Sequence, residues 1–552
     1  MLKASGAMAA ATLLSRVLGM VREMVYARFM GDGWVASAFT FAFQIPNLFR
    51  RLLGEGALTA AFIPIFKEKE KSHGEIEMWR SANAVISGLV IVTSIVVAIG
   101  ILGISVALPM VKNAAPQNIV AAADHFSATD NLLSQDRDKQ FNSEHKWERA
   151  ILMLQLLRLM FPYLLLVCLA AAFMGMLNAR GHFFIPAMGA TALNVVMIAS
   201  VLWLAPRMGK QLPEQVFALA YGVLAAGVAQ AAFQLPTLWH DGFRYHWVSP
   251  WENETVRVVV KRMIPGAVGL AAFQINVLLT QMIAFWVNPH IVASFNYAVR
   301  LMELPQGMFG VSLATFLLPT LAGLAAEKNH SEFRATLRHG LGTLIFTNLI
   351  AAILLVVLAE PIVRLLFERG EFTAASTQRA TLALMCLAPG LVAFSSVNIL
   401  ARAFYALGDT QTPMKISIGC LVLNLVLAAA LIMPLQQGGI GLANTVTSTC
   451  NAALLLFALR RKLGQLEMKS LCEMAPKLLL ITTVAGLIAW QGWRLWENSL
   501  GHATLPLKIG AVFVPAGIAG SVYLLAALWF EIPAAKEIVE LALVKFRKNK
   551  QK

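Results

Sequence analysis

The sequence predicts an all-α polytopic membrane protein of about fourteen crossings, two six-helix lobes forming a parallel internal repeat plus two C-terminal helices. Three observations carry that prediction. Of 552 residues, 58% are hydrophobic and only 14% charged, with a mean hydropathy of +0.66, whereas roughly a quarter of residues are charged in soluble domains. The apolar runs are long and continuous, as helical crossings of about 20 residues require, while barrel strands read as about ten alternating residues. Finally, Pro162, Ala179, Gly181 and Pro186 recur as Pro389, Ala406, Gly408 and Pro413, each 227 positions further on. Six crossings separate the copies, so both run the same way, about an axis along the membrane normal.

The first window, 7–30, follows Lys3, but Arg16 and Arg22 interrupt it and no small-residue cleavage site is convincing. It reads as a retained helix, not a secretory signal. The second, 34–66, contains Pro46 and Pro64, which kink a crossing rather than end it. The third, 82–112, follows the basic cluster Lys67, Lys69, Lys71 and Arg80. A polar stretch, 113–149, is then an exterior insertion, read as a solvated loop with a helical turn or two; its mixed charges also suit a partner-binding element. Windows 150–177 and 185–205 hold the first copy of the repeat, and 216–238 closes the first lobe. The segment 239–260, rich in Trp, His and Arg, suits a cytoplasmic interfacial helix. Windows 261–288 and 291–325 open the second lobe, where Pro305 and Pro319 weakly echo Pro46 and Pro64. Next come 337–367, then 376–406 and 413–434 with the second copy, then 438–460, whose Gly438, Gly439 and Gly441 allow a tight turn and close packing. Windows 475–496 and 506–530 lie outside the repeat and precede a basic tail. The expected domains are therefore an N-lobe (1–238), a linker (239–260), a C-lobe (261–464) and a C-terminal pair with its tail (465–552).

The net charge of +15 and pI near 9.7 reflect where the lysines and arginines lie. An even number of crossings puts both termini on one side. If that side is cytoplasmic, the inner segments hold about 26 Lys/Arg against about 13 outside, as the positive-inside rule expects. The clusters around Arg460 and Lys545 are then topology signals at the membrane surface, not a nucleic-acid site. Five cysteines without a CxxC pair give no disulfide framework and no metal site. No nucleotide-phosphate loop, HExxH or GxSxG elbow is present, the ten histidines are scattered, and no cofactor is expected. The chain reads as a transporter rather than an enzyme.

Ionisable residues inside crossings are the informative ones, because an arginine at the bilayer centre costs about 2.5–3.5 kcal/mol even on insertion scales. In SRVLGMVRE, the residues Ser15, Arg16, Gly19, Arg22 and Glu23 fall on an arc of about 120°. In QIPNLFRRLLGEG, Pro46 frees a carbonyl one turn back, and Asn47, Arg50, Arg51 and Glu55 follow. In YAVRLMELPQG, Arg300 and Glu303 sit one turn apart, just before Pro305. If these helices line one cavity, its arginines outnumber its acids, and planar guanidinium groups suit diphosphate oxygens. The alternative for each arginine is neutralisation by a neighbour, such as Arg51 by Glu55, or snorkelling to an interface, which suits Arg158 best.

SRVLGMVRE, FQIPNLFRRLLGEGALTAAFIPIF and YAVRLMELPQGMFGVSLATFLLP resemble the signature segments of the MurJ (MviN) lipid II flippases. These belong to the multidrug/oligosaccharidyl-lipid/polysaccharide exporter superfamily. The resemblance implies movement of undecaprenyl-pyrophosphate-linked disaccharide-pentapeptide across the bacterial inner membrane for peptidoglycan synthesis. It places the family's cavity arginines on Arg16, Arg22, Arg50 and Arg300, with Ser15, Arg51 and Glu55 in the same motifs. It also implies a lipid-tail groove at 475–496 and 506–530, contacts with membrane lipids, and an insertion at 113–149 open to cell-wall synthesis proteins. In two respects the chain departs from the family: Ser37 stands where an Asp is often found, and the insertion is longer than the usual loop. No acid lies between Ile264 and Val287, so a carboxylate sodium site there is not supported. The alternatives are an exporter of another polyprenyl-linked glycan or a small molecule, and a membrane enzyme acting on lipid-linked sugars.

Overall fold

The computed structural model describes residues 2–51, 57–114, 135–251, 253–464, 469–537 and 539–540. Among the described residues all regular structure is helical, with no strand. Helices satisfy their own backbone donors and acceptors, as a hydrocarbon solvent demands.

α1 (Leu2–Met30) turns at Gly31 into α2 (Trp34–Phe49). The expected helix over 34–66 is described as α2, two residues of a π turn and the start of α3, with 52–56 outside the described residues. Pro46 offers no N–H, and α2 widens into a π turn at Arg50 and Arg51. The rest of the window begins α3 (Ala57–Ala114), which also runs through the polar stretch 67–81, because its Lys/Glu run favours helix. Only Gly74, at φ 82° and ψ 177°, breaks α3. Arg180 spans that break, with Nη1 2.5 Å from Glu70 and 2.9 Å from Glu75. Burial lowers its proton affinity, but these two carboxylates outweigh that effect and hold Arg180 above the usual arginine range.

α4 (Gln135–Met160) and α5 (Tyr163–Ala179) form one crossing bent by 44° at Pro162. The insertion from Gln135 onward is thus helix continuous with a crossing, more than the expected turn or two; residues 115–134 lie outside the described residues. α6 (Phe184–Ala199) extends through a π turn, Ser200–Leu204, and α7 (Phe217–Ala232) follows. Of the linker, the short helix Leu235–His240 supplies the start and α8 (Glu254–Val287) the end. Gly242, at φ 93°, ends the short helix, the chain is irregular from Phe243 to Trp251, and the Asn253 side chain caps α8. Trp239, Tyr245, Trp247 and Trp251 of this segment are exposed, as interfacial aromatics are.

α9 (Ile291–Pro305) passes through a π turn, Gln306–Val311, into α10 (Ser312–Ala326). α11 (His330–Val357) and α12 (Ala359–Phe367) share the next window. α13 (Ala374–Leu387) and α14 (Leu391–Ala406) are joined by a 3-10 turn at Pro389. α15 (Gln411–Leu435) and α16 (Gln437–Leu463) form a hairpin in which a Cβ on Gly439 would overlap the Leu431 carbonyl. α17 (Lys469–Ser499) and α18 (Leu505–Trp529) complete the described crossings. Tyr523 Oη donates to the Phe346 carbonyl at 2.8 Å and ties this pair to α11.

The repeat is legible in hydrogen bonds. His182 N donates to Leu177 O at 2.9 Å and Arg180 N to Met176 O at 3.0 Å. In the second copy, Asp409 N donates to Phe404 O at 2.9 Å and Leu407 N to Ala403 O at 3.2 Å. Both are Schellman-type endings with a left-handed glycine, Gly181 at φ 88° and Gly408 at φ 74°. Asp409 also accepts from Lys462 Nζ at 2.6 Å and from Thr412 N at 3.0 Å. Lys462 chiefly, then the Thr412 N–H, hold its carboxyl down at about 2. A depressed folded value means stabilisation present above about pH 4 and lost as pH falls towards 2. Asp409→Asn should therefore lower stability by about 1 kcal/mol at pH 7. Melting of parent and variant at pH 7 and pH 3 checks this: the gap narrows in acid.

Ten helices among the described residues are long and apolar enough to cross a membrane, or eleven with the bent α4–α5 pair. Helices also occupy the three remaining windows of the fourteen read from sequence. They are α1 with Arg16, Arg22 and Glu23, α2, described to Phe49 before the π turn, and α8, whose sequence is uncharged from Ile264 to Val287. Ile95, Ile99, Leu102, Val106 and Met110 form an exposed apolar stripe on α3, as expected of a face turned to acyl chains.

Contacts divide the chain into two compact units, Met1–Ala293 with Arg369–Phe372, and Ser294–Glu368 with Thr373–Lys552. α8, first in the second half by the repeat, packs on α2 and α3 in the first unit. In that unit Phe62, Phe66, Trp79 and Phe243 form an aromatic core. In the second unit the main core joins α10, α11, α14 and α16.

Candidate substrate site

Arg22 is the most committed of the candidate residues. Its side chain is 15% exposed, and Nη2 bonds Glu23 Oε1 at 2.5 Å. Nη1 donates to Asn194 Oδ1 on α6 at 3.1 Å, and Asn194 Nδ2 donates to the Ser15 carbonyl at 3.2 Å. The guanidinium also lies 5.5 Å from the Tyr26 ring centroid. Tyr26, Phe43, Tyr163 and Met197 help line a crevice of about 10 Å³ beside it, about the room one water needs. Arg16, on the same polar arc, is exposed.

Arg50 Nε donates to Asn47 Oδ1 at 2.7 Å, and Asn47 is buried. Arg51 is half-buried in the π turn, while Glu55 and its expected pairing lie outside the described residues. In the second unit, Arg300 Nη1 bonds Glu303 Oε2 at 2.8 Å, with both side chains about a third or more exposed. Pro305 stands directly before the π turn 306–311, as Pro46 stands shortly before the one at 50–51. Arg50 and Arg51 lie in the first of these π turns, and Arg300 lies in the regular helix before the second. Among the described residues no cluster of His, Cys, Asp or Glu could hold a metal ion.

The sequence reading puts Ser15, Arg22 and Glu23 on one arc but misses Asn194, which bonds both Arg22 and the Ser15 carbonyl. Its signal was a carboxamide inside the apolar run LNVVMIASV. Ser37, standing where the family often has an Asp, is held by the backbone at Pro289 and Ala293. Fully buried, it donates to the Pro289 carbonyl at 2.5 Å and accepts from Ala293 N at 3.3 Å. His290 Nδ1 lies 3.2 Å from the Asp32 carbonyl, and Glu371 N donates to the Arg28 carbonyl at 3.0 Å. Gly31, at φ 57°, and Gly370, at φ 58°, admit that approach: a Cβ on Gly31 would lie 2.5 Å from Glu371 O, and one on Gly370 would overlap Arg28 O. These contacts close one end of the first unit.

A helical protein of many crossings, with an internal repeat and arginines on its proline-kinked helices, is a membrane transporter rather than an enzyme. The profile of the family described as lipid II flippase MurJ matches residues 26–509, and the chain belongs to that family. A relative from Haemophilus influenzae, named probable lipid II flippase MurJ, is 35% identical over 80% of this chain and 83% of its own length. The structure of a lipid II flippase MurJ in an inward closed conformation is similar in fold, with TM-score 0.70 and 20% identity over 94% of this chain and 98% of that one. An inward-facing multidrug resistance MATE transporter shares the fold at TM-score 0.63 and 13% identity, over 84% of this chain and 99% of that one. The chain is accordingly a multi-span flippase of the bacterial inner membrane, acting in peptidoglycan synthesis.

Proposed function

We propose that the chain carries lipid II from the cytoplasmic to the outer leaflet by alternating access, with Arg16, Arg22, Arg50, Arg51 and Arg300 gripping the diphosphate. The observation that carries the site is Arg22, mostly covered on a membrane helix and held by Glu23 and Asn194 beside Ser15. An intramembrane cation held this way stays charged and presents a guanidinium fork to phosphate oxygens. In this reading Glu55 and Glu303 balance charge, the Pro46 and Pro305 regions flex, and the lobes are 1–238 and 261–464. Both termini face the cytoplasm, the Ser37–Pro289 closure faces outward, and α17–α18 guide the prenyl chain. The insertion at 113–149 is then exterior and available to cell-wall synthesis proteins.

The test replaces a conditional strain's own flippase with this chain and scores lipid II accessible in the outer leaflet, beside Arg16→Ala and Arg300→Ala at matched expression. Accessible lipid II with the parent and little with the variants is the expected result. A stably inserted parent that exposes none would move the cargo to another polyprenyl-linked glycan. A cargo bearing about two negative charges gains roughly 2.3 kcal/mol per charge per 100 mV on leaving an inside-negative cell. Dissipating the potential at constant pH gradient should therefore slow flipping, and an unchanged rate would remove the potential as a driving force.

A further inference from the structure

A second buried cation in the first unit stands apart from the arginine cluster. Arg149 of α4 is 2% exposed, and its guanidinium carbon lies 4.7 Å from the centroid of the Phe285 ring. Its Nε is buried without a hydrogen-bond partner among the described residues. Phe285 is itself fully buried and stacks on Phe41 of α2 at 5.1 Å. One turn earlier on α4, Lys146 Nζ lies 5.4 Å from the ring centroid of Trp286, the next residue of α8. Two cations on one helix, Lys146 exposed and Arg149 buried, therefore rest over two consecutive rings, although a buried cation ordinarily finds a carboxylate. A ring face attracts a guanidinium but accepts no forked pair of hydrogen bonds, so an oxyanion can displace it.

We propose that Arg149 is a second station for phosphate oxygens of the cargo, near the exterior end of the pathway and capped by Phe285 in this conformation. The proposal rests on the flippase reading and its topology. Movement of the end of α8 away from α4 uncovers the guanidinium, which then accepts the diphosphate. When the headgroup leaves, the ring covers the cation again. Ring and anion compete for one charge, so the station holds its ligand weakly, as a release site must.

A purely structural stack and a capped station differ in sign. If the stack only supports the fold, removing either partner has the same effect. If Phe285 competes with the ligand, Phe285→Leu tightens binding by about fivefold and Arg149→Met weakens it by about as much. The measurement uses full-length protein in phosphatidylcholine nanodiscs, titrated with undecaprenyl diphosphate, inorganic pyrophosphate or phosphatidylglycerol. Midpoints are read from hydrogen exchange of residues 281–292. Should Arg149→Met not fold, Arg149→Lys, which keeps the charge without the fork, is expected to weaken binding by about twofold. Shifts in one direction, or none, overturn the proposal, and so does a response confined to phosphatidylglycerol, which would mark a phospholipid site. Opposite shifts with pyrophosphate, without binding of undecaprenyl diphosphate, would keep the station and remove the lipid II reading.

Discussion

Arg22→Ala is expected to reduce outward lipid II by about 100-fold at matched expression, since charge-assisted hydrogen bonds worth about 3 kcal/mol are lost from the cargo. The same change strands Glu23, 12% exposed, and the Asn194 carbonyl oxygen. Removing one partner of a buried ion pair costs about 3–5 kcal/mol, so the single variant confuses folding with transport. The pair Arg22→Gln with Glu23→Gln separates them. Neutralising both partners should restore most of the parent's melting temperature while outward lipid II stays low. A double variant that melts like the parent and flips like it would make Arg22 a structural residue. Arg22→Lys should fall between, because an ammonium keeps the charge but lacks the planar fork that spans Glu23 and Asn194.

Gly31→Ala is expected to open the closed end of the first unit. A left-handed backbone costs an L-residue about 1–2 kcal/mol, and the new methyl would lie 2.5 Å from the Glu371 carbonyl oxygen, where no real Cβ sits. The hydrogen bond from Glu371 N to the Arg28 carbonyl should break, and those of Ser37 to Pro289 and Ala293 should loosen with it. Hydrogen exchange over 31–37 and 289–293 should rise, and transport should fall as the closed conformation becomes scarce. Gly33→Ala is the matched control: φ there is −70°, and an added Cβ meets nothing within 4 Å. Equal exchange in the two variants would show that the tight approach at Gly31 does not hold this end together.

Crossings, repeat and polar arc were legible because each leaves a periodic or positional trace: apolar length, a constant offset, 100° per residue along α1. What the sequence concealed depends on distant contacts. Nothing near Arg22 in the chain points to Asn194, 172 residues away on another helix. Ser37 reads as a lost acid, yet its hydroxyl both donates and accepts in the turn between α8 and α9. The polar stretch before Arg80 falls between two apolar windows, and its lysines and glutamates propagate helix on both sides of Gly74. The linker was legible only in part, since aromatic and basic composition suited an interfacial helix, whereas the chain from Phe243 to Trp251 is irregular and helix resumes at Glu254. Arg50 and Arg51 were placed on a kinked helix, and they lie in a π turn at the end of α2.

The paired endings at Gly181 and Gly408 bear on how such a chain is made. An equal, even number of crossings in each half lets the translocation machinery read the same orientation signal twice. Two half-length coding segments can then be fused end to end without adding a crossing at the join. With an odd number per half, such a fusion would turn the second half upside down, and the matched turns would emerge on opposite faces of the bilayer. A duplication that kept its polarity would leave such a shared hydrogen-bond register at His182 and Asp409.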